Sequence, residues 1–283
     1  MIDIQQLSFA YKKHKVLENL NLSLEAGKIY GLLGKNGEGK SSLLYQMCGL
    51  LFPDKGNIKV MDEVPGSRKP HFLQNIYLLP EEFELPDVSI QNFMNVHAPF
   101  YPNFNEDLFV RSLSEFNIPI KNKLHNMSFG QKKKVMISFA LAAQTQILLM
   151  DEPTNGLDIT SKRQFRKIIA GSIREDQLII ISTHQVKDLD SLIDHVLVLD
   201  ERKIILDQSI ENITRKIAFK QTMRQEDTQD AIYSEGSIKG YVMVTPNKHQ
   251  ENTRLDMELF FNALLSEKQQ MVSILNSDSC NSR

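Results

Sequence analysis

Apolar positions along the chain change their period several times. Ile2, Ile4, Leu7 and Phe9 fall near alternate positions, the spacing of strand with one buried face, and Glu25-Ala-Gly-Lys28 reads as a turn. Ile29 to Leu33 is a buried strand, and Ser41 to Leu51 carries Leu43, Leu44, Met47, Leu50 and Leu51 on one helical side. From 86 to 126 prolines recur at 86, 99, 102 and 119 among helical pieces such as Glu106–Phe116, which predicts a helical insert between strands. Beyond 128 the alternation of helix and strand returns. A helix is expected over about Gln131–Ala143, a strand at Ile147–Met150, a helix over about Ser161–Ser172 and a strand at Leu178–Ser182. Val196–Leu199 and Lys203–Leu206 suggest a hairpin, Gly240–Thr245 a strand, and Asp256–Glu267 an amphipathic helix, with 271–283 a frayed tail.

Apolar strands alternating with helices indicate an α/β fold with a mostly parallel sheet. The expected organisation is a core over 1–211, with an antiparallel β subdomain at its N-terminal end and a helical subdomain at about 86–135, followed by a small α+β extension over 212–283.

Composition narrows the function. Of 283 residues, 41% are hydrophobic and 24% charged, ordinary values for a packed core. The formal net charge is -2, so the basic excess of a nucleic-acid binder is missing and no nucleic-acid partner is expected. Cys48 and Cys280 form no disulfide or metal-binding pattern and suit a reducing cytosol. No apolar run is long enough to span a bilayer. The chain is expected to be soluble and cytoplasmic, with any membrane part supplied by another polypeptide.

Candidate chemistry begins where Ile29–Leu33 runs into Gly34, Lys35, Asn36, Gly37, Glu38, Gly39, Lys40, Ser41 and Ser42. Gly-x-x-x-x-Gly-Lys-Ser between strand and helix is a phosphate-binding loop, with backbone N–H groups and a helix N-terminus turned toward anionic oxygens. Lys40 should reach the β- and γ-phosphates, and the Ser41 hydroxyl should hold Mg²⁺. The apolar run Ile147–Met150 then delivers Asp151 and Glu152 to the carboxyl end of a strand, where open α/β sheets bind ligands. Alternation along a strand separates the two carboxylates, so Asp151 can serve the metal and Glu152 the attacking water. Ser128 precedes a helix and fits an ordinary N-cap as well as a phosphate contact. Lys132-Lys133-Lys134 reads as a solvated helix face.

Met127-Ser128-Phe129-Gly130-Gln131, between these two motifs, resembles the Leu-Ser-Gly-Gly-Gln hallmark of ATP-binding-cassette (ABC) transporter ATP-binding subunits. The resemblance covers roughly residues 1–210. It departs from the pattern at Met127 and Phe129, and at Glu81, where the family usually has Gln. It implies a P-loop ATPase fold, ATP and Mg²⁺ as cofactors, and a head-to-tail pairing of two cassettes, identical or paralogous. In that pairing Ser128, Gly130 and Gln131 of one face the γ-phosphate held by the other. It further implies Tyr11 as the ring stacked on adenine, Asp158 in the acidic position of the loop Pro153–Asp158, His184 as the switch histidine and Glu81 as a ligand near the metal.

A separate multi-span membrane permease is the implied partner, which would place the subunit on the inner face of the cell membrane, with its groove near 83–104 receiving a permease helix. The segments Leu79–Glu82 and Ala98–Pro102 and the C-terminal extension are most similar to bacterial drug and antibiotic exporter ATPases. The alternative is a soluble cassette ATPase acting on nucleic acid or the ribosome. Such proteins carry two cassettes or long coiled coils; this chain has one cassette and no sustained heptads.

Overall fold

The computed structural model describes residues 1–189 and 192–277; Cys280 and the rest of the tail lie outside them. The chain divides into two compact units, one of Met1–His184 and Val198–Ile204, the other of Gln185–Leu197 and Ile205–Arg283.

In the first unit β1 (Ile2–Tyr11) pairs antiparallel with β2 (His14–Leu24). The near-alternation read at Ile2, Ile4, Leu7 and Phe9 is imperfect because the ladder shifts register between Ile4 and Leu7, at a bulge where Gln6 takes φ 51°. All four apolar side chains still point inward. After β3 (Ile29–Leu33), α1 covers only Lys40–Met47. The expected helix to Leu51 is cut short by Gly49, held at φ 72°. Its N–H reaches the Gln46 carbonyl at 3.1 Å and the Leu50 N–H reaches that of Tyr45 at 2.8 Å, a Schellman termination that satisfies the last carbonyls.

β4 (Lys55–Val60) adds to β1, giving the antiparallel sheet β2-β1-β4. Then follow α2 (Pro70–Gln74), β5 (Ile76–Leu79) and the helical insert, α3 (Ile90–His97) and α4 (Glu106–Glu115). Ser89 and Asn105 cap these two helices with side-chain oxygens. α5 (Phe129–Ala142) opens two residues earlier than expected, on a capping box between Ser128 and Gln131. Beyond it lie β6 (Ile147–Asp151), α6 (Ile159–Ala170) and β7 (Leu178–Thr183).

With β8 (His195–Asp200) and β9 (Lys203–Ser209) the second sheet has the order β5-β6-β7-β3-β8-β9. Its β5, β6, β7 and β3 are mutually parallel. β6 and β7 are buried along their whole length, which accounts for their unbroken apolar runs.

The second unit contains α7 (Ile210–Lys216) and an antiparallel sheet, β10-β12-β11, made from β10 (Ile217–Thr222), β11 (Tyr233–Ser237) and β12 (Gly240–Pro246). α8 (Met257–Ser266) buries Met257, Phe260, Ala263 and Leu264. Each large apolar side chain so placed contributes about 1.5–3 kcal/mol. The segment from 271 is not a tail throughout. α9 (Lys268–Asn276) turns Met271 and Leu275 fully inward, and the Leu275 carbonyl accepts the Lys216 ammonium at 2.7 Å. Met271 and Leu275, four apart on one face, dock the helix, while Val272 and Ile274 stay half-buried.

Candidate active site

Three parallel strands bring the chemistry together. Ladder pairing sets Leu33 beside Thr183 and Asp151 beside Ser182, so β3, β6 and β7 release their chains at one edge. β5 lies next to β6 with Leu79 opposite Met150, which carries Glu81 to the same place.

The loop from Gly34 leaves Lys35, Asn36 and Gly37 exposed and folds back at Gly39, whose φ of 103° lies in the left-handed region. A Cβ there would stand 2.6 Å from Val16 Cγ1, so glycine is required on two counts. α1 starts immediately afterwards with Lys40, Ser41 and Ser42, its first N–H groups facing the loop. The Lys40 ammonium is buried. It donates to the Gly34 carbonyl at 2.9 Å and the Lys35 carbonyl at 3.1 Å, and lies 3.6 Å from Glu152 Oε1. Tyr11, at the end of β1, is half exposed and edge-on to Phe9 at 4.8 Å, and the Ser42 hydroxyl donates to its phenol oxygen at 3.4 Å. Its open ring face therefore borders the phosphate loop.

Asp151 and Glu152 separate as strand alternation requires. Asp151 Oδ1 takes the Ser182 hydroxyl at 2.5 Å, whereas Oδ2 is buried without a hydrogen-bond partner. A buried, unpaired carboxylate oxygen is costly unless a cation meets it, and a hard divalent ion with oxygen ligands fits this donor set. Among the described residues no cluster of three or more His, Cys, Asp or Glu side chains could hold a metal alone. Glu152 adopts φ 45°, a strained conformation for a residue with a Cβ. Its Oε1 accepts the His184 backbone N–H at 2.9 Å and meets His184 Nδ1 at 2.8 Å; its Oε2 accepts the Thr183 hydroxyl at 3.1 Å.

The remaining positions divide. Glu81 is in reach of this cluster, but its Oε1 accepts the Asn155 amide at 2.7 Å. Asp158 caps α6 by accepting the Ser161 N–H at 2.8 Å, a bond that holds its carboxyl below the usual aspartate range. Ser128 is exposed at the mouth of α5, and its Oγ accepts the Gln131 N–H at 3.3 Å, leaving the hydroxyl proton free to donate elsewhere. The Gln131 side chain closes the box by accepting the Ser128 N–H at 3.0 Å. Phe129 turns back onto its own chain, stacked on Phe83 at 5.6 Å. Gly130 is close-packed, since a Cβ there would sit 3.2 Å from the Gly156 carbonyl.

The lysine run is not a solvated face. Lys133 is fully buried, and its ammonium donates to the carbonyls of Glu152 at 2.7 Å and Glu81 at 3.3 Å. Burial pushes its pKa down, while the Glu81, Glu152 and Asp151 carboxylates oppose that shift. Helical spacing does not mark it out: residues 135–142 of α5 are all buried, so Lys132, Lys133 and Lys134 each have an apolar neighbour three residues on, Val135, Met136 and Ile137.

A parallel sheet, a glycine loop capped by a helix and two divergent carboxylates at the strand ends define a P-loop ATPase. Comparison with known proteins narrows this class. The ABC transporter family profile matches residues 17–155. The lantibiotic transport ATP-binding protein SrtF of Streptococcus pyogenes is 32% identical over 219 residues, 74% of this chain and 90% of that protein. The bacitracin transport ATP-binding protein BcrA of Bacillus licheniformis is 26% identical over 223 residues, covering 76% and 72%. A solved ATP-binding subunit of an ABC transporter superposes with a TM-score of 0.68 at 23% identity, over 76% of this chain and 92% of that one, and so supports the fold. The chain belongs to the ABC transporter family, as an ATP-binding and ATP-hydrolysing subunit.

Proposed function

We propose that this subunit powers a separate multi-span membrane permease of the exporter type, working as one of two cassettes that close on ATP and open after its hydrolysis. The observation that carries the reading is the arrangement of Lys40, Asp151, Glu152 and His184 around the ends of β3, β6 and β7.

In this reading the loop N–H groups and Lys40 bind the triphosphate, and Tyr11 stacks on the base. Ser41 and Asp151 hold Mg²⁺, with Glu81 within reach; the ion supplies charge neutralisation on the phosphoryl oxygens. Glu152 orients the attacking water and accepts its proton, and His184 fixes the carboxylate while facing the γ-phosphate. Ser128 and Gly130 present a hydroxyl and a helix N-terminus to the nucleotide of the second cassette, which is identical or paralogous. The soluble alternative acting on nucleic acid or the ribosome has no comparable support, since the relatives named above are transport proteins.

The permease has a candidate seat. A groove of about 450 Å³ in the first unit is lined by Leu50, Leu73, Ile76, Leu78, Phe100 and Tyr101, mainly apolar. Leu50 and Phe100, on the same groove, are both more than half exposed. No described helix is long and apolar enough to cross a membrane, and in this reading another chain provides the path. The amphipathic cytoplasmic helix of a permease would cover such a groove and place the subunit on the inner face of the membrane. Lantibiotics and bacitracin, named for the two relatives, point to peptide antibiotics as the cargo class.

The test is co-expression with candidate permeases encoded beside this chain. A complex that survives detergent purification, shows ATP hydrolysis stimulated by peptide antibiotic, and falls apart on Phe100→Glu supports the reading. Failure of every such permease to form a complex, or a complex indifferent to Phe100→Glu, would overturn it.

A further inference from the structure

The buried ammonium of Lys133 joins three parts of the first unit that a transport cycle would have to keep in step. It rises from the second turn of α5, the helix whose N-terminus carries Ser128 and Gly130. It donates to the carbonyl of Glu152 at 2.7 Å and to that of Glu81 at 3.3 Å. The Phe129 ring lies over it at 5.6 Å, and that ring is stacked in turn on Phe83, two residues from Glu81. Glu81 is anchored a second time, through its side chain, by Asn155.

The Glu152 backbone is the element that most needs such a tie. Its φ of 45° is unfavourable for a residue with a Cβ and persists only where the surroundings impose it. On one side the Glu152 N–H is bonded to the Ser182 carbonyl at 3.1 Å. On the other its carbonyl takes the Asn155 N–H at 3.2 Å and the much shorter contact from Lys133. A charge-assisted bond inside the protein is the stronger of the two, and it is the one that originates on a different element.

An ammonium is an expensive means of filling this space. Full burial of a lysine ammonium is costly before its partners are counted, and a methionine has nearly the same length and shape. The charge is therefore explained by what it holds and not by packing.

We propose that Lys133 is a positioning residue for hydrolysis, fixing the backbone of Glu152 and tying it to α5 and to the segment after β5. Movement of either segment is thereby passed to the carboxylate that handles water. The inference rests on the assignment of Glu152 as the general base.

Lys133→Met and Lys133→Arg test it on the full-length chain, with Glu152→Gln as control. Lys133→Met should keep its melting temperature and its affinity for ATP, measured by equilibrium binding, while kcat falls about ten-fold or more with KM unchanged. Lys133→Arg, which restores a buried donor cation, should recover most of the rate. Wild-type turnover in Lys133→Met overturns the inference, as does a loss of ATP affinity and melting temperature that matches the loss in rate. If Glu152→Gln itself turns over normally, the reading of Glu152 fails instead, and the two failures are told apart.

Discussion

Replacing Glu152 by Gln removes one charge and keeps the shape, and the surroundings of the carboxylate set the expected consequences. Glu152 Oε1 stands 3.6 Å from the Lys40 ammonium, with both side chains almost fully buried. At an effective dielectric constant of about 20 this pair is worth about 4–5 kcal/mol gross. Taking the carboxylate out of water costs a comparable amount, which the amide does not incur. The net change in stability is therefore expected within about 1–2 kcal/mol, a shift of a few degrees in melting temperature.

The amide oxygen can still accept the His184 N–H, and its NH₂ can donate to the Thr183 hydroxyl, so the side chain should keep its place. Catalysis should not survive equally well. An amide cannot take a proton from water, and loss of a general base costs about 10²–10⁴ in rate. ATP binding should hold or tighten, because a negative charge beside Lys40 no longer repels the triphosphate. Phosphate release at saturating ATP, nucleotide affinity by equilibrium binding, and gel filtration with ATP separate these effects. The expected variant binds ATP, accumulates as dimer and turns over at the background level. A kcat within about three-fold of wild type would falsify the role of Glu152.

Lys40→Ala strips the loop of its one buried cation at this site and leaves the Gly34 and Lys35 carbonyls without their donor; ATP affinity should fall by about 10²-fold or more, and titration with a fluorescent nucleotide reads it directly. Gly39→Ala should lower the melting temperature and abolish nucleotide binding together, since φ 103° and the contact with Val16 both resist a Cβ; normal binding would mean that the loop relaxes freely. Phe129→Gly forfeits the stack on Phe83, about 1 kcal/mol, yet hydrolysis should persist because the ring faces its own chain; lost turnover at an unchanged melting temperature would place the ring in the site. Burial pushes the Cys48 thiol up to about 11, so at pH 8 only about one part in a thousand is thiolate. In a Cys280→Ser background, alkylation should therefore be slow at pH 8 and speed up steadily towards pH 10. A rate already at its plateau by pH 8 would contradict the buried placement.

Much of this site was legible because its motifs depend on backbone geometry. The glycine spacing of the loop, the apolar run before Asp151 and the strand before His184 each name an element and its end. What escaped was whatever depends on packing between elements. Lys133 sits in a run of three lysines, and nothing local distinguishes the one that turns inward. The left-handed backbone of Glu152 leaves no mark in composition, because it is imposed by Ser182 on one side and by Lys133 and Asn155 on the other. In the second unit, β10, β11 and α9 went unseen. β10 and β11 are half-exposed edge strands with mixed composition, and α9 is held by two apolar residues and one lysine reaching across from α7.

The ladder that aligns β3, β6 and β7 has a consequence for how this chain can vary. Leu33 faces Thr183 and Asp151 faces Ser182, and successive side chains of a strand point to opposite faces of the sheet. Shifting β6 back by one residue would carry Glu152 into the place of Asp151, beside Ser182, and Asp151 into that of Met150, on the opposite face of the sheet. Substitutions within β6 cost packing in proportion to the volume changed. A single-residue deletion there would leave every one of these side chains present and turn each to the wrong face. Length is therefore constrained within these strands, and equally in the segments just beyond them that carry Lys40, Glu152 and His184.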